Sequence, residues 1–396
     1  MTAHEEGEAR LSAVGGTSDH VMNILIVGCG FVADYYLLTL RGHPELRVVG
    51  VHDRLGERAR RLADVYAVPV IVNLEAALAD PAVELVLNLT NPSEHYAITR
   101  AALEAGKHVY SEKPLAMRFD DARELFELAE ARQLVLAAAP CSILSESAQA
   151  LWKAIREDAV GRVRVVYAEM DDGLVHRMPY RSWKSASGVP WPYRDEFEVG
   201  CTLEHAGYVL TWLVTMFGPA TAVTAFASVQ VPDKTPGEPS APPGPDFSVA
   251  CVEFDRGIVA RLTCGILAPH DHRLLVAGDD GVLVVDDTWH YRSPVWTRRM
   301  IRIRRRTMLT PWRRSRRLAP PPHDVAKTRG AQTMDFARGP AELAAAVREG
   351  RQCRLGGSFA LHVTELALAI HGARDAPGRH AMTTRFEPVD PMPWGL

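Results

Sequence analysis

The segment Gly28-Cys29-Gly30-Phe31-Val32-Ala33 crowds glycine into a turn after a short apolar run, and further along Glu112-Lys113-Pro114 sets an amine beside a stiff ring. Glycines so spaced let a strand turn sharply into a helix while its backbone closes on a pyrophosphate, which rests on the helix's unpaired N–H groups. Asp53 stands roughly twenty residues beyond the turn, where a carboxylate accepts hydrogen bonds from adenosine ribose hydroxyls. A carboxylate there repels a 2'-phosphate and favours NAD. The adjacent Arg54 can accommodate that phosphate, which keeps NADP as the alternative. Lys113 supplies complementary chemistry: hydride transfer at a carbinol requires loss of the hydroxyl proton, and an amine takes it once burial and a nearby positive charge bring its pKa toward neutrality. Either motif alone is weak, since glycines mark ordinary turns and a lysine after a strand is ordinary surface.

The elements that must position these groups alternate in type. Apolar runs at Asn23 to Val27, Leu46 to Val51, Val68 to Val72, Val83 to Leu89, His108 to Ser111 and Leu134 to Ala139 predict strands buried on both faces. Helices are expected after the glycine turn to about Leu40, after Arg54, near Asn73 to Ala79, over Glu94 to Ala105 with Gly106 as C-terminal cap, and over 120 to 132. Lys113 then falls just past a strand's carboxyl end, the edge where open α/β sheets bind ligands. Beyond Pro140 come longer β-rich runs, at Val163 to Met170, Ala220 to Val231, Phe247 to Phe254, Ile258 to Leu267 and Arg273 to Val285, before helices return at Pro340 to Glu349 and Ser358 to His371. The fold class read from this pattern is α/β: an N-terminal Rossmann doubly wound parallel sheet, then a C-terminal α+β domain with a large open, mostly antiparallel sheet. The expected organisation is a disordered extension over 1–21, a dinucleotide-binding domain over 22–140, and a substrate-binding and oligomerisation domain over 141–396.

At 396 residues, with 47% hydrophobic and 23% charged residues and a net charge of -3, the chain has the composition of a soluble two-domain protein. That charge gives no global attraction to nucleic acid or an acidic membrane, and no apolar run approaches the length that spans a bilayer. The six scattered cysteines, without a C-x-x-C pair, and the polar, acidic first residues point to a reduced, cytoplasmic setting. Ten arginines between 298 and 317 read as a solvated surface or an oligomer contact, and Pro232 to Pro245 as a mobile connection.

Together the glycine turn (Gly28, Gly30, Ala33), Thr90-Asn91-Pro92-Ser93-Glu94-His95, and Ala105-Gly106-Lys107-His108-Val109-Tyr110-Ser111-Glu112-Lys113-Pro114-Leu115 resemble the Gfo/Idh/MocA family of NAD(P)-dependent oxidoreductases over about residues 22 to 375. The resemblance implies that Lys113 lies near the nicotinamide and the reacting hydroxyl, ahead of a cis proline peptide. It also implies that Gly28, Gly30, Phe31, Val32, Asp53, Arg54, Thr90, Asn91, Pro92, His95, Glu112 and Lys113 line the cofactor groove. A second family motif, Gly-Gly-x-Leu-x-Asp-x-Gly-x-His, corresponds to Gly200-Cys201-Thr202-Leu203-Glu204-His205-Ala206-Gly207-Tyr208-Val209. Here His205 stands in the aspartate position and Val209 in the histidine position.

Helical spacing puts 205 and 209 on one face, opposite a stripe of Leu203, Ala206, Leu210, Leu213 and Phe217, so His205 is expected to face the cleft and relay a proton with Lys113. Tyr208 is a further hydroxyl donor. Trp183, Trp191 and Tyr193, in a stretch dense in aromatic and basic groups, suit stacking on a sugar ring, with Lys113 and His205 completing the substrate site. His270-Asp271-His272 places two imidazoles on one side of a strand, but the family's chemistry needs no metal and none is expected.

The resulting expectation is a dehydrogenase or reductase acting at a carbinol or ketone of a sugar, cyclitol or related polyhydroxy compound, working as a homodimer or homotetramer without nucleic-acid or membrane partners. The alternatives are an enzyme that oxidises its substrate only transiently, as in epimerisation or elimination, and a catalytically silent NAD(P)-binding sensor.

Overall fold

The first strand shows how the N-terminal half is built. In β1 (Met22–Val27) Ile24 and Ile26 join one apolar cluster and Leu25 and Val27 another, so alternate side chains fill cores on both faces of one sheet. The computed structural model describes residues 20–238, 241–318 and 334–396. After β1 come α1 (Ala33–Leu40), β2 (Leu46–His52), α2 (Gly56–Tyr66), α3 (Leu74–Ala79), β3 (Leu85–Asn88), α4 (His95–Glu104), β4 (His108–Ser111), α5 (Phe119–Ala131) and β5 (Leu136–Ala138). The strands are parallel in the order β2-β1-β3-β4-β5. The order reverses between β1 and β3, which opens a crevice at their carboxyl ends.

One expected strand is absent. Of Val68 to Val72 only Val70 meets the sheet, in a single bridge to Val51, and Val72 is 90% exposed. Apolar residues made it read as a strand; Val68 and Ile71 do pack against the cores, but Val70 and Val72 are exposed and the pairing with β2 stops at one bridge.

The chain continues through α6 (Glu146–Arg156), β6 (Val163–Asp171), α7 (Tyr193–Val199), α8 (Gly207–Phe217), β7 (Ala220–Ser228), β8 (Phe247–Phe254), β9 (Ile258–Gly265), β10 (Leu274–Gly278), β11 (Gly281–Val285), β12 (Val295–Ile303), β13 (Arg306–Leu309), β14 (Arg314–Arg316), α9 (Arg338–Glu349), α10 (Ser358–Gly372) and β15 (Gly378–Ala381). Ten strands form one sheet, ordered β13-β12-β11-β10-β6-β9-β8-β7-β15 with β14 against β12; β6 and β9 are parallel and the other pairs antiparallel.

One expectation changes here, and another gains detail. Arg273 to Val285 is a hairpin rather than one run, because Asp279-Asp280 turns the chain between β10 and β11. The arginine stretch forms β12 to β14 at one end of the sheet, with most of its side chains exposed. Residues 1–19, 239–240 and 319–333 are outside the described residues, and with them most of the expected N-terminal extension, part of the Pro232–Pro245 connection and Pro320-Pro321-Pro322.

A buried polar chain ties the two halves together. Arg338, at the start of α9, donates to Glu146 Oε2 at 2.9 Å, Leu144 O at 2.9 Å and Asp335 Oδ2 at 3.2 Å. The same Asp335 lies 3.0 Å from His43 Nε2, in the turn after α1, while Glu45 lies 3.1 Å from His43 Nδ1. Burial pushes the His43 imidazole down, but hydrogen bonds to Asp335 and Glu45 outweigh it and hold its pKa at about 9 against an ordinary 6.5. A histidine whose pKa is raised by folding contributes stability that is complete below pH ~6.5 and is lost as pH climbs through ~9. Urea unfolding between pH 6 and 9.5 should therefore show the native protein losing about 3 kcal/mol relative to His43→Gln. Parallel curves for the two proteins would mean that His43 is not charged in the fold.

Candidate active site

Gly28 ends β1 at φ +98, and a Cβ there would lie 2.5 Å from the Leu89 carbonyl carbon, so only glycine lets the turn press against the end of β3. Gly30 has open space where its Cβ would be and, with Phe31 and Val32, lines a cavity of about 490 Å³. Asp53 holds the turn from the side: Oδ2 accepts Cys29 N–H at 2.8 Å and Oδ1 accepts Leu55 N–H at 2.7 Å. Burial, with Asp53 adding to it, pushes the Cys29 thiol up to about 12, so it stays neutral. Gly28, Asp53 and Arg54 do not reach the cavity wall; the exposed Arg54 lies 3.9 Å from Glu94, and Arg58 enters the wall instead.

The ends of β3 and β4 form the next stretch of wall with Thr90, Asn91, Pro92, His95, Glu112 and Lys113. His95 is a clamp: its ring nitrogens lie 2.6 Å from Pro114 O and 2.9 Å from Thr90 O, across two loops. Burial keeps this ring below the ordinary histidine range despite the two carbonyls, and a neutral ring donates to only one of them at a time. Glu112 is turned toward the core, where it accepts the Tyr36 hydroxyl at 2.7 Å and Lys113 N–H at 3.1 Å. The Lys113–Pro114 peptide is cis.

Glu204, rather than His205, meets Lys113. Lys113 Nζ forms a direct ion pair with Glu204 Oε2, and the two side chains are only 17% and 7% exposed. Burial alone would lower the lysine pKa, but the charge of Glu204 more than restores it and holds it above the ordinary lysine range. The expectation of an amine tuned toward neutrality is thereby reversed in this form of the site. Glu196 has the opposite fate, since burial and then the charge of Glu204 push its carboxyl well up, so it keeps its proton.

The register comes from a π-helical turn over Thr202–Ala206 ahead of α8. Its wider turn swings Glu204 toward Lys113 and leaves His205 Nε2 3.9 Å from Asp172 Oδ2. His205 lines the cavity as its helical position suggested, but Val209, expected on the same face, is fully buried in the core. Burial pushes His205 below its ordinary range against the pull of Asp172, and its Nδ1 has no hydrogen-bond partner. Tyr208 lines the cavity with its ring centroid 4.9 Å from that of Trp289; burial raises its hydroxyl pKa, so it remains a donor.

Trp183, Trp191 and Tyr193 complete the opposite wall, the two tryptophan rings 5.0 Å apart. Their loop is anchored to the parallel-sheet half, because Asp34 of α1 accepts Ser187 N–H at 2.9 Å and Ser187 hydroxyl at 2.7 Å. Sequence reading missed Glu204, Glu196, Asp172, Arg58 and Trp289. The one available signal was the carboxylate of Glu204 directly beside the position where the family motif carries aspartate.

Comparison with known proteins agrees with this architecture. Residues 22–139 match the oxidoreductase family's NAD-binding Rossmann fold, and residues 148–284 match the GFO/IDH/MocA C-terminal domain. The trans-1,2-dihydrobenzene-1,2-diol dehydrogenase of Bos taurus is 26% identical over 67% of this chain and 74% of its own length. An uncharacterised oxidoreductase of Synechocystis is 24% identical over 54% of this chain, which spans only 56% of that protein. In fold, the chain is similar to an aldose-aldose oxidoreductase from Caulobacter crescentus complexed with glycerol (TM-score 0.71, 20% identity, 91% of this chain and 99% of that one). It is also similar to a 3-ketoreductase from Actinomadura kijaniata in complex with NADP (TM-score 0.67, 19% identity, 88% and 96%). A glycine turn on the switch point of a parallel sheet, a buried lysine beyond β4 and a ten-stranded second sheet, matched by both family models, establish that this chain belongs to the Gfo/Idh/MocA oxidoreductases.

Proposed function

We propose that the protein is an NAD(P)-dependent dehydrogenase or reductase acting at a carbinol or ketone of a sugar, cyclitol or related polyhydroxy compound. The observation that carries this reading is the buried Lys113–Glu204 pair, on the wall of a cavity that runs unbroken to the glycine turn. When bound, the dinucleotide supplies or receives the hydride. The protein's part is to hold the substrate oxygen and move one proton. As found, Lys113 is an ammonium that donates its proton to the oxygen of a carbonyl being reduced and is reloaded from solvent; in the reverse direction it accepts the hydroxyl proton once its own has left to solvent.

Thr90, Asn91, Pro92 and the Gly30–Val32 turn are the groups proposed to border the cofactor, with Gly28, Asp53 and His95 shaping them and Glu112 holding the strand end. Asp53 favours NAD, while Arg54 and Arg58 keep NADP accessible. Trp183, Trp191 and Tyr193 would pack on the apolar face of a sugar-like ring, while His205 and Tyr208 offer polar contacts. The buried Lys113–Glu204 pair in the cavity wall speaks against a silent sensor. No helix among the described residues is long and apolar enough to cross a membrane, and all six cysteines are unpaired, which supports a cytoplasmic location. The exposed Tyr167 and Phe226 on the ten-stranded sheet support a homodimer or homotetramer formed through it.

Lys113→Ala should bind NAD(H), followed by tryptophan fluorescence, yet lose about 10²–10⁴ in kcat with a panel of sugars and cyclitols; retained turnover would remove Lys113 from the chemistry. Stoichiometric NADH formation on that panel distinguishes net oxidation from a transient oxidation cycle. Glu204→Gln withdraws the charge that holds the ammonium up, so the high-pH limb of kcat/KM for ketone reduction should move to lower pH; an unmoved limb would mean another group governs it. For the cofactor end, Gly30→Ala should leave the melting temperature within about 2 °C yet weaken NAD binding at least tenfold, because its Cβ intrudes only on the ligand. Gly28→Ala should lower both, because its Cβ meets the Leu89 backbone.

A further inference from the structure

Asp171 and Asp271 form an isolated antiparallel bridge just past the end of β6, with reciprocal N–H···O bonds of 3.0 and 2.9 Å. Residues one step from a bridged pair project from the same face, so this bridge brings Asp172 beside His270 and His272. Asp172 Oδ1 is 3.8 Å from His270 Nδ1 and 3.7 Å from His272 Nε2, and the three donor atoms lie within 4.8 Å of one another. These separations are too long for hydrogen bonds. Among the described residues His272 is fully buried with no partner at hydrogen-bond distance on either ring nitrogen; each nitrogen instead faces a carboxylate at 3.7 Å, Asp172 at Nε2 and Asp287 at Nδ1.

We infer that Asp172, His270 and His272 form a binding site for one late first-row divalent cation of the zinc type, with an open coordination position facing the substrate end of the cavity. Two imidazoles and a carboxylate suit zinc or cobalt over magnesium or calcium, which prefer all-oxygen shells. Bonds of about 2.0–2.2 Å put ligand atoms roughly 3.4 Å apart, so the cluster needs only a small contraction, and His270, at 48% side-chain exposure, has room to swing inward. Behind the buried ligand, Asp287 Oδ1 lies 3.7 Å from His272 Nδ1, the position from which a carboxylate orients a metal-bound histidine. Trp289 packs against the His272 ring, centroids 4.3 Å apart, and fixes its plane. Asp172 lines the cavity together with His205 and Trp289, while His270 and His272 lie behind that wall, so an ion held by the three would sit at the cavity's margin. Three protein ligands with one open position is the arrangement of zinc sites that act on ligands rather than only brace a fold.

The inference deepens the dehydrogenase reading by giving the substrate an oxygen anchor, yet ion binding is measured without cofactor or turnover. Untagged, chelator-stripped protein titrated with Co2+ should develop visible d–d absorption that saturates at one ion per chain, and Zn2+ should displace it. His270→Ala, at an exposed position that leaves the core intact, and Asp172→Asn should each weaken Co2+ binding at least tenfold. Asp287→Asn should weaken it about 10–100-fold. His380→Ala, which removes a distant exposed imidazole, should change nothing. Absence of saturable binding, or equal binding in native protein, His270→Ala and Asp172→Asn, overturns the site. NAD(H) binding by the same samples reports separately on the dehydrogenase reading, so the two can fail independently.

Discussion

A lysine ammonium enclosed at the end of a parallel strand cannot stand alone. An unpaired charge in such a place costs several kcal/mol, so a carboxylate must be delivered to it. The parallel sheet carries no such group facing the cavity near Lys113, because Glu112 is already committed to Tyr36 and to its neighbour's N–H. The partner comes from the other half of the molecule, through Glu204 at the entrance to α8. That single contact requires the two sheets to meet at one distance and angle. The supporting bonds all bear on it: His95 joins the loops after β3 and β4, Asp34 ties α1 to the aromatic loop, and the Arg338–Asp335–His43 chain binds the turn after α1 to α6 and α9.

The pairing also separates the protonation states of two carboxyls. Glu204 spends its charge on Lys113, and Glu196, facing both burial and that charge, holds its proton. Two similar acids beside one amine are thus placed in different electrostatic settings, one against the ammonium and one buried behind that pair. Around the opposite part of the wall, Asp172 collects three histidines, and although burial pushes its carboxyl up, His270, His205 and His272 hold it below the ordinary range. One cavity wall therefore carries the Lys113–Glu204 pair in one part and Asp172 with His205 in another.

Much of this was legible in the sequence where local pattern and global packing agree. Doubly buried strands announce themselves as unbroken apolar runs, and the glycine turn, Gly106 and the Glu-Lys-Pro segment fixed where β1, α4 and β4 end. The failures share one cause. Val68 to Val72 has the composition of a strand but makes only one bridge to the sheet, and the arginines of 298–317, read as solvated surface, are mostly exposed but lie on the strands β12 to β14, which their composition did not announce. Asp172 could not be grouped with His270 and His272, because the bridge between residues 171 and 271 joins points a hundred positions apart.

The expected partner of Lys113 differed for another reason, since the reading assumed 3.6 residues per turn through a segment that departs from it. The departure is held by specific contacts: Gly200 at φ +88 starts the turn, and Cys201 N–H is taken by Pro245 O at 2.8 Å. At its other end Ser142 donates to Tyr208 O at 2.8 Å and accepts Trp212 Nε1–H at 3.1 Å. The helix beyond has Val209, Leu210, Trp212, Leu213 and Val214 all fully buried, so it cannot rotate to bring another side chain forward. With α8 immobile and the π turn pinned at both ends, the choice between a carboxylate and an imidazole facing Lys113 is made by backbone register, one residue at a time. A chain can thus lose the aspartate and histidine of its family's motif and still present an acid to the amine, provided that the wider turn is retained.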